Sequence, residues 1–98
     1  MDLKDMQKFV AEFDVKKNWG KDTPLEITLH MAEELGELSR VINRLSGYKP
    51  GEFKKSDVAA ELLDQLYLVL KLANAYDIEL DKEWGKIEFL YKDKQKRI

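Results

Sequence analysis

The chain contains no cysteine and a single histidine. Those absences exclude disulfides, thiolate catalysis, zinc–thiolate sites and any multi-histidine metal centre. No run of about 18 uncharged apolar residues occurs, so no membrane span is expected. The opening stretch, MDLKDMQKFV, lacks the apolar core of a secretory signal, which points to a cytoplasmic location. Excess charge is missing as well. Lys and Arg total 17 against 19 Asp and Glu, a net charge of −2, so no basic field exists to attract a nucleic acid polymer. Strand signals are absent too, because β-branched residues are few and no run alternates over several positions.

What is present reads as one soluble domain spanning residues 1–98, 44% hydrophobic and 37% charged. A chain this short carries a thin core, and self-association would cover apolar faces that a monomer leaves open. Four segments carry a helical period. The first runs from about Asp2 to Lys17, with Met6, Phe9, Val10 and Phe13 on one stripe. The second opens on a capping box, Thr23 at the N-cap, Pro24 at the first position and Glu26 at the third. Its apolar set is Leu25, Leu29, Ala32, Leu35, Leu38, Ile42 and Leu45, and Gly47 ends it.

Residues 47–55, GYKPGEFKK, read as a loop. Ser56 or Asp57 is expected to cap the third helix, which runs to about Tyr76 and is apolar on nearly every side. That places it at the centre of the bundle, or between its own bundle and a partner subunit. The last helix starts near Asp81, with Trp84, Ile87 and Tyr91 on its inner face. A basic tail follows at about 92–98. The expected fold is an all-α antiparallel four-helix bundle.

The chemistry lies in acidic residues that do not suit their helices. Between Val58 and Tyr76 the only acids are Glu61 and Asp64, three apart and so on one face. Burying an ionised carboxylate without a partner costs several kcal/mol. The second helix supplies a matching pair, Glu34 and Glu37, with Gly36 between them. A mid-helix glycine costs roughly 1 kcal/mol against alanine, which suggests close approach by a neighbour or ligand. Either pair alone reads as a solvated acidic face. Both together, on adjacent apolar helices, read as four carboxylates converging on a divalent cation. An all-oxygen set suits Mg²⁺ or Mn²⁺, whereas di-iron bundles use Glu-x-x-His pairs. His30, one turn before Glu34, projects beside this site. It either contacts a base, orients a carboxylate, or is a half-buried histidine with its own partners.

The order Glu34-Leu-Gly-Glu37, 23 intervening residues, then Glu61-Leu-Leu-Asp64 resembles the MazG-type all-α nucleoside triphosphate pyrophosphohydrolases. The string AEELGELSRVINRL is similar to that family's EE-x-GEL run, and the likeness spans roughly residues 19–92. It implies Mg²⁺-dependent cleavage of (d)NTPs between the α and β phosphates, releasing (d)NMP and pyrophosphate, in nucleotide-pool cleansing. It implies a homodimer or homotetramer. The metal ligands carry over onto Glu34, Glu37, Glu61 and Asp64. Glu33 matches the leading glutamate and joins Glu37 as a catalytic candidate for a further metal or the attacking water.

The same resemblance makes Trp19 a base-stacking candidate, the alternative being a tryptophan that closes the end of the core. Lys21 either reaches a phosphate or is solvated. Asn74 either touches sugar or phosphate or caps its helix. On the last helix, where many members carry phosphate-binding residues, this chain has Lys86, Lys92, Gln95 and Arg97, while Trp84 and Tyr91 are assigned to the core. Phosphoribosyl-ATP pyrophosphohydrolase is a second reading. Its usual histidine after the second acidic motif is replaced here by Gln65, Leu66 and Tyr67. A non-catalytic helical interaction module is a third.

Overall fold

Four α-helices make up the fold: α1 (Leu3–Lys16), α2 (Pro24–Leu45), α3 (Lys55–Ala75) and α4 (Leu80–Lys96). The computed structural model describes residues 1–47 and 54–96, and among them there is no strand. The all-α expectation is met. Most of the expected loop 47–55, Arg97, and the side chain of Gln95 lie outside the described residues.

The helix ends follow from local chemistry. Asp2 Oδ1 accepts the Asp5 N–H at 2.8 Å and starts α1. At α2, Thr23 Oγ1 accepts the Glu26 N–H and Glu26 Oε1 accepts the Thr23 N–H, both at 3.2 Å, which completes the capping box. α1 and α3 stop the same way. Asn18 (φ 58°) and Asp77 (φ 53°) adopt the left-handed conformation that their short polar side chains tolerate. After α1, the Asn18 N–H reaches the Val15 carbonyl at 3.1 Å and the Trp19 N–H reaches the Asp14 carbonyl at 2.8 Å. After α3, Asp77 and Ile78 repeat the pattern on the carbonyls of Asn74 and Ala73. These are Schellman pairs. Gly47 (φ 76°) ends α2, as its glycine predicts.

The start of α3 differs from expectation. Lys54 is the N-cap, and Asp57 sits three residues inside, accepting the Lys54 N–H at 2.6 Å. A carboxylate at the third position can satisfy the cap's own amide, so the helix begins two to three residues early.

α3 is central, as its composition implies. α2 packs along it and α1 lies on another side. The ties Asp14–Tyr67 and Gln7–Asn74 run in opposite chain directions, so α1 and α3 are antiparallel. The Gln7 side chain also accepts the Leu80 N–H and donates to the Ile78 carbonyl, which pins the α3–α4 turn to α1. Asp81 caps the α1 amide of Lys4 at 2.9 Å.

The core is small: Val10, Ile27, Val41, Leu68, Leu70 and Ala73. On α2 the buried face runs through Ile27, Met31, Glu34, Leu38 and Val41, and of the set the sequence favoured only Leu38 lies on it. Leu25, Leu29, Leu35, Ile42 and Leu45 lie exposed. α2 carries two apolar stripes, and the shorter one faces α3. The inner face expected for α4 is also corrected. Trp84 is 59% exposed, and Ile87 and Tyr91 are exposed with it, because among the described residues α4 packs chiefly on α1. The radius of gyration, 16.6 Å, exceeds the roughly 13 Å of a compact chain this long. No helix among the described residues is long and apolar enough to cross a membrane.

Candidate active site

Midway along the α2–α3 contact, Glu34, Glu61 and Asp64 bring one carboxylate oxygen each within 4.8 Å of the others. The spacing of three on α3 puts Glu61 and Asp64 on one face. Glu34 sits on the α2 stripe that packs against that face. One oxygen of Glu34 and one of Glu61 are buried without a hydrogen-bond partner among the described residues. Partial burial raises the Glu61 pKa above its ordinary value, the charge of Glu37 adds to this, and Glu34 and Asp64 add further. Buried oxygens without donors, pressed together and all hard, are the donor set a divalent cation satisfies.

Of the four expected ligands, the structure brings these three together. Glu37 stays outside the tight cluster, exposed one turn along α2, yet near enough for its charge to act on Glu61. Glu33 is exposed and joins neither the cluster nor the adjoining cleft. His30 Nε2 lies 3.3 Å from Glu34 Oε1. Gly36 approaches nothing among the described residues, since a Cβ there would meet no atom of theirs within 4 Å. The expectation of a close neighbour fails within this chain.

A cleft of about 640 Å³ opens from the acids. Glu34, Asp64 and His30 line one end. Phe13, Trp19 and Tyr67 give it aromatic walls, and Lys71 and Asp22 stand with them. Trp19 packs edge-on against Phe13 at 5.6 Å, and Phe13 meets Tyr67 at 6.4 Å. Trp19 therefore lines the cleft while half exposed.

The polar groups of this wall escaped the sequence reading. Lys71 is buried, and its ammonium donates to the Trp19 carbonyl at 2.9 Å and to Asp22 Oδ2 at 2.8 Å. Asp14, also buried, accepts the Tyr67 hydroxyl at 2.5 Å and lies 3.9 Å from Lys71. Burial, then the Asp14 hydrogen bond and charge, push the Tyr67 hydroxyl pKa far up. One signal was available: Lys71 is the only basic residue of α3 beyond its first position, seven residues after Asp64 and so on the same stripe.

The remaining expected substrate contacts are elsewhere. Asn74 gives both polar atoms of its side chain to Gln7, at 3.0 Å each. Lys86 pairs with Glu83 and Lys92 with Glu88 on the surface of α4. Lys21 is exposed and does not line the cleft.

A helical hairpin with a carboxylate cluster at the mouth of an aromatic cleft defines an all-α class with a candidate cation site. No family model matches the chain. The uncharacterised protein YpjD of Bacillus subtilis is 30% identical over 96 residues, covering 96% of this chain and 86% of that one. A crystal structure of YpjD from Bacillus subtilis, presented as a candidate pyrophosphatase, superimposes with a TM-score of 0.79 at 31% identity over 93% of each chain. A crystal structure of the Bacillus-conserved MazG protein, a nucleotide pyrophosphohydrolase, gives 0.78 at 27% identity over 93% of this chain and 89% of that one. The chain belongs to the MazG-like all-α family.

Proposed function

We propose that the protein hydrolyses nucleoside or deoxynucleoside triphosphates to the monophosphate and pyrophosphate, with Mg²⁺ as the natural cofactor and Mn²⁺ as a substitute. The observation that carries this reading is the convergence of Glu34, Glu61 and Asp64 at the mouth of an aromatic cleft. Its support is the likeness to a MazG nucleotide pyrophosphohydrolase.

Glu34, Glu61 and Asp64 would hold the cation, with Glu37 as the fourth carboxylate of the set. When bound, the cation supplies charge neutralisation for the phosphates and acidifies a water molecule. The acids alone repel a triphosphate, which makes them useless without it. His30 fixes the rotamer of Glu34. Glu37, exposed beside Glu61, takes the proton from the attacking water, while Glu33, outside both the cluster and the cleft, is given no step. The oxygen of the water bonds to the α-phosphorus, the α–β bridging bond breaks, and pyrophosphate leaves with the bridging oxygen. No covalent nucleophile is required, since phosphoryl chemistry of this kind rests on positioning and charge.

The exposed stripes of α2 and α4 support a homodimer or homotetramer, because such areas of leucine and aromatic side chain are costly in water. The test of the activity is direct. Purified protein, a panel of NTPs and dNTPs, and Mg²⁺ should yield pyrophosphate from at least one nucleotide. Glu61→Gln and Asp64→Asn should abolish that yield with helical content unchanged. No pyrophosphate from any nucleotide, or full turnover by both variants, removes the proposal.

A further inference from the structure

Lys71 lies seven residues beyond Asp64 on α3, a rise of about 10 Å, so it stands well away from the candidate cation site. Its side chain is only 9% exposed. The ammonium donates to the Trp19 carbonyl at 2.9 Å and to Asp22 Oδ2 at 2.8 Å, and the buried Asp14 carboxylate lies at 3.9 Å. Both hydrogen bonds end on the α1–α2 turn. Residues 17–22 of that turn are exposed, and a Cβ on Gly20 would meet nothing within 4 Å among the described residues. The turn nevertheless carries Trp19, which is 49% exposed and walls the cleft against Phe13. Among the described residues, the hydrogen bonds from α3 to this turn are the two that Lys71 donates.

A buried ammonium between carboxylates rarely adds stability over a well-packed apolar side chain of similar volume. What it adds here is geometry, a fixed charge that two groups of the turn must meet. We propose that Lys71 is a positioning residue, which holds the α1–α2 turn so that the Trp19 indole stands as a preformed wall of the cleft and strengthens substrate binding. This inference rests on the nucleotide reading of the cleft. It needs no contact between Lys71 and the ligand and no particular orientation of a base. It needs only that the ligand fills the space that Trp19 bounds.

Without the ammonium, the Trp19 carbonyl and Asp22 turn to water and the indole loses its fixed place. The ligand must then order the wall itself. Each side chain immobilised on binding costs about 2- to 10-fold in affinity. With Trp19 and Asp22 both released, KM should rise about tenfold, while kcat, set by the acids at the other end, holds within about twofold.

The test reads the wall with and without nucleotide. The chain has two tryptophans, so in a Trp84→Phe background Trp19 alone emits. Lys71→Met keeps the apolar stem and removes the charge. Its Trp19 emission should shift to the red, and quenching by acrylamide should rise toward twofold as a half-exposed ring becomes fully exposed. KM for the nucleotides of the panel that turn over should rise about tenfold with kcat kept. Asp22→Ala, at a side chain 46% exposed, removes one partner only. It should give smaller changes of the same sign, and it carries the test if Lys71→Met does not fold. Gln7→Ala breaks the ties between α1 and the α3–α4 turn, away from the cleft. It should lose stability without moving Trp19 emission or KM, which separates positioning from general loosening. Unchanged Trp19 emission in the Lys71 and Asp22 variants, a KM rise matched by Gln7→Ala, or a fall in kcat at constant KM overturns the inference. Failure of the hydrolase reading shows separately, as no pyrophosphate from the Trp84→Phe protein. The emission then decides alone whether Lys71 places Trp19: a shift upholds the placement, and no shift sinks it.

Discussion

Replacing Tyr67 with phenylalanine removes one oxygen atom and leaves the ring that packs edge-on to Phe13. The oxygen is the donor to Asp14, whose side chain is 9% exposed. Asp14 then keeps only the Lys71 ammonium at 3.9 Å, too long for a hydrogen bond. A hydrogen bond to a charged, buried acceptor is worth about 1.5–3 kcal/mol. Water entering from the cleft recovers part of it, so the loss should be about 2 kcal/mol. For a domain of this size each kcal/mol moves Tm by about 4–8 °C, which gives a drop of about 8–16 °C by circular dichroism.

The pH dependence is sharper than the magnitude. The Tyr67 pKa is raised in the folded state above its ordinary 10.0. The folded chain therefore holds this proton more tightly than the unfolded chain. The stabilisation is fully present below pH 10 and is lost as pH rises toward the folded pKa. Other tyrosines ionise in both proteins and cancel in the difference. The Tm gap between wild type and Tyr67→Phe should stay constant through neutral pH and narrow above pH 10. A gap under about 2 °C at pH 7, or one that ignores pH above 10, refutes the picture of a buried Tyr67–Asp14 bond joining α1 to α3.

Glu61→Gln should not destabilise the metal-free protein at pH 7 and should remove most of the Tm gain that Mg²⁺ or Mn²⁺ gives the wild type; a clear loss of metal-free stability would mark Glu61 as a structural ion-pair partner instead. Because the Glu61 pKa is raised from 4.5, metal-free wild type should gain stability as pH falls through the region above 4.5, a gain that Glu61→Gln should lack on acid titration. Gly47→Ala should cost about 1 kcal/mol by denaturant melt, since φ 76° strains any side chain; no loss would place Gly47 elsewhere. Gly36→Ala should add up to about 1 kcal/mol if the face around it is open in solution, and a loss of stability there would show that another copy covers it.

Helix positions were legible because caps and terminators are local chemistry. Thr23, Pro24, Glu26 and Gly47 act on neighbours a few residues away, so the sequence contains their whole environment. The acids were legible for a related reason: two carboxylates in an otherwise apolar helix have few explanations. Burial was not legible to the same degree. α2 has one stripe through Leu25 and Leu29 and another through Ile27, Met31 and Val41, and a period cannot say which meets α3. On α4 the expected inner face finds no extensive packing among the described residues, and Trp84 and Tyr91 lie exposed. The Lys71 wall depended on a turn. Only the Schellman end at Asn18 and Trp19 folds the chain back so that Asp14, Asp22 and the Trp19 carbonyl meet one ammonium. The lone cation of α3 was visible, but its partners lie some fifty residues away and share no pattern with it.

The placement of the acids explains why so thin a core suffices. Glu34 and Glu61 sit in the α2–α3 contact, and both keep a buried oxygen without a donor among the described residues. Such groups weaken the fold, and on the proposed function a cation that binds only the folded arrangement would return the loss as binding energy coupled to folding. A cluster on a floppy element would lose that coupling, since the helices would separate before the carboxylates met. The α2–α3 hairpin is the most extensively packed pair in the chain, so its apolar contacts hold the acids in register against their own repulsion. On the proposed function, stability and cation affinity would then be set by the same interface. Removing a methyl group from Ile27 or Val41 should loosen metal binding even though neither side chain is a ligand. Ile27→Val should cost about 1 kcal/mol and raise the apparent metal Kd, measured by calorimetry. A Kd unchanged in the face of that lost stability would separate the two properties and refute the coupling.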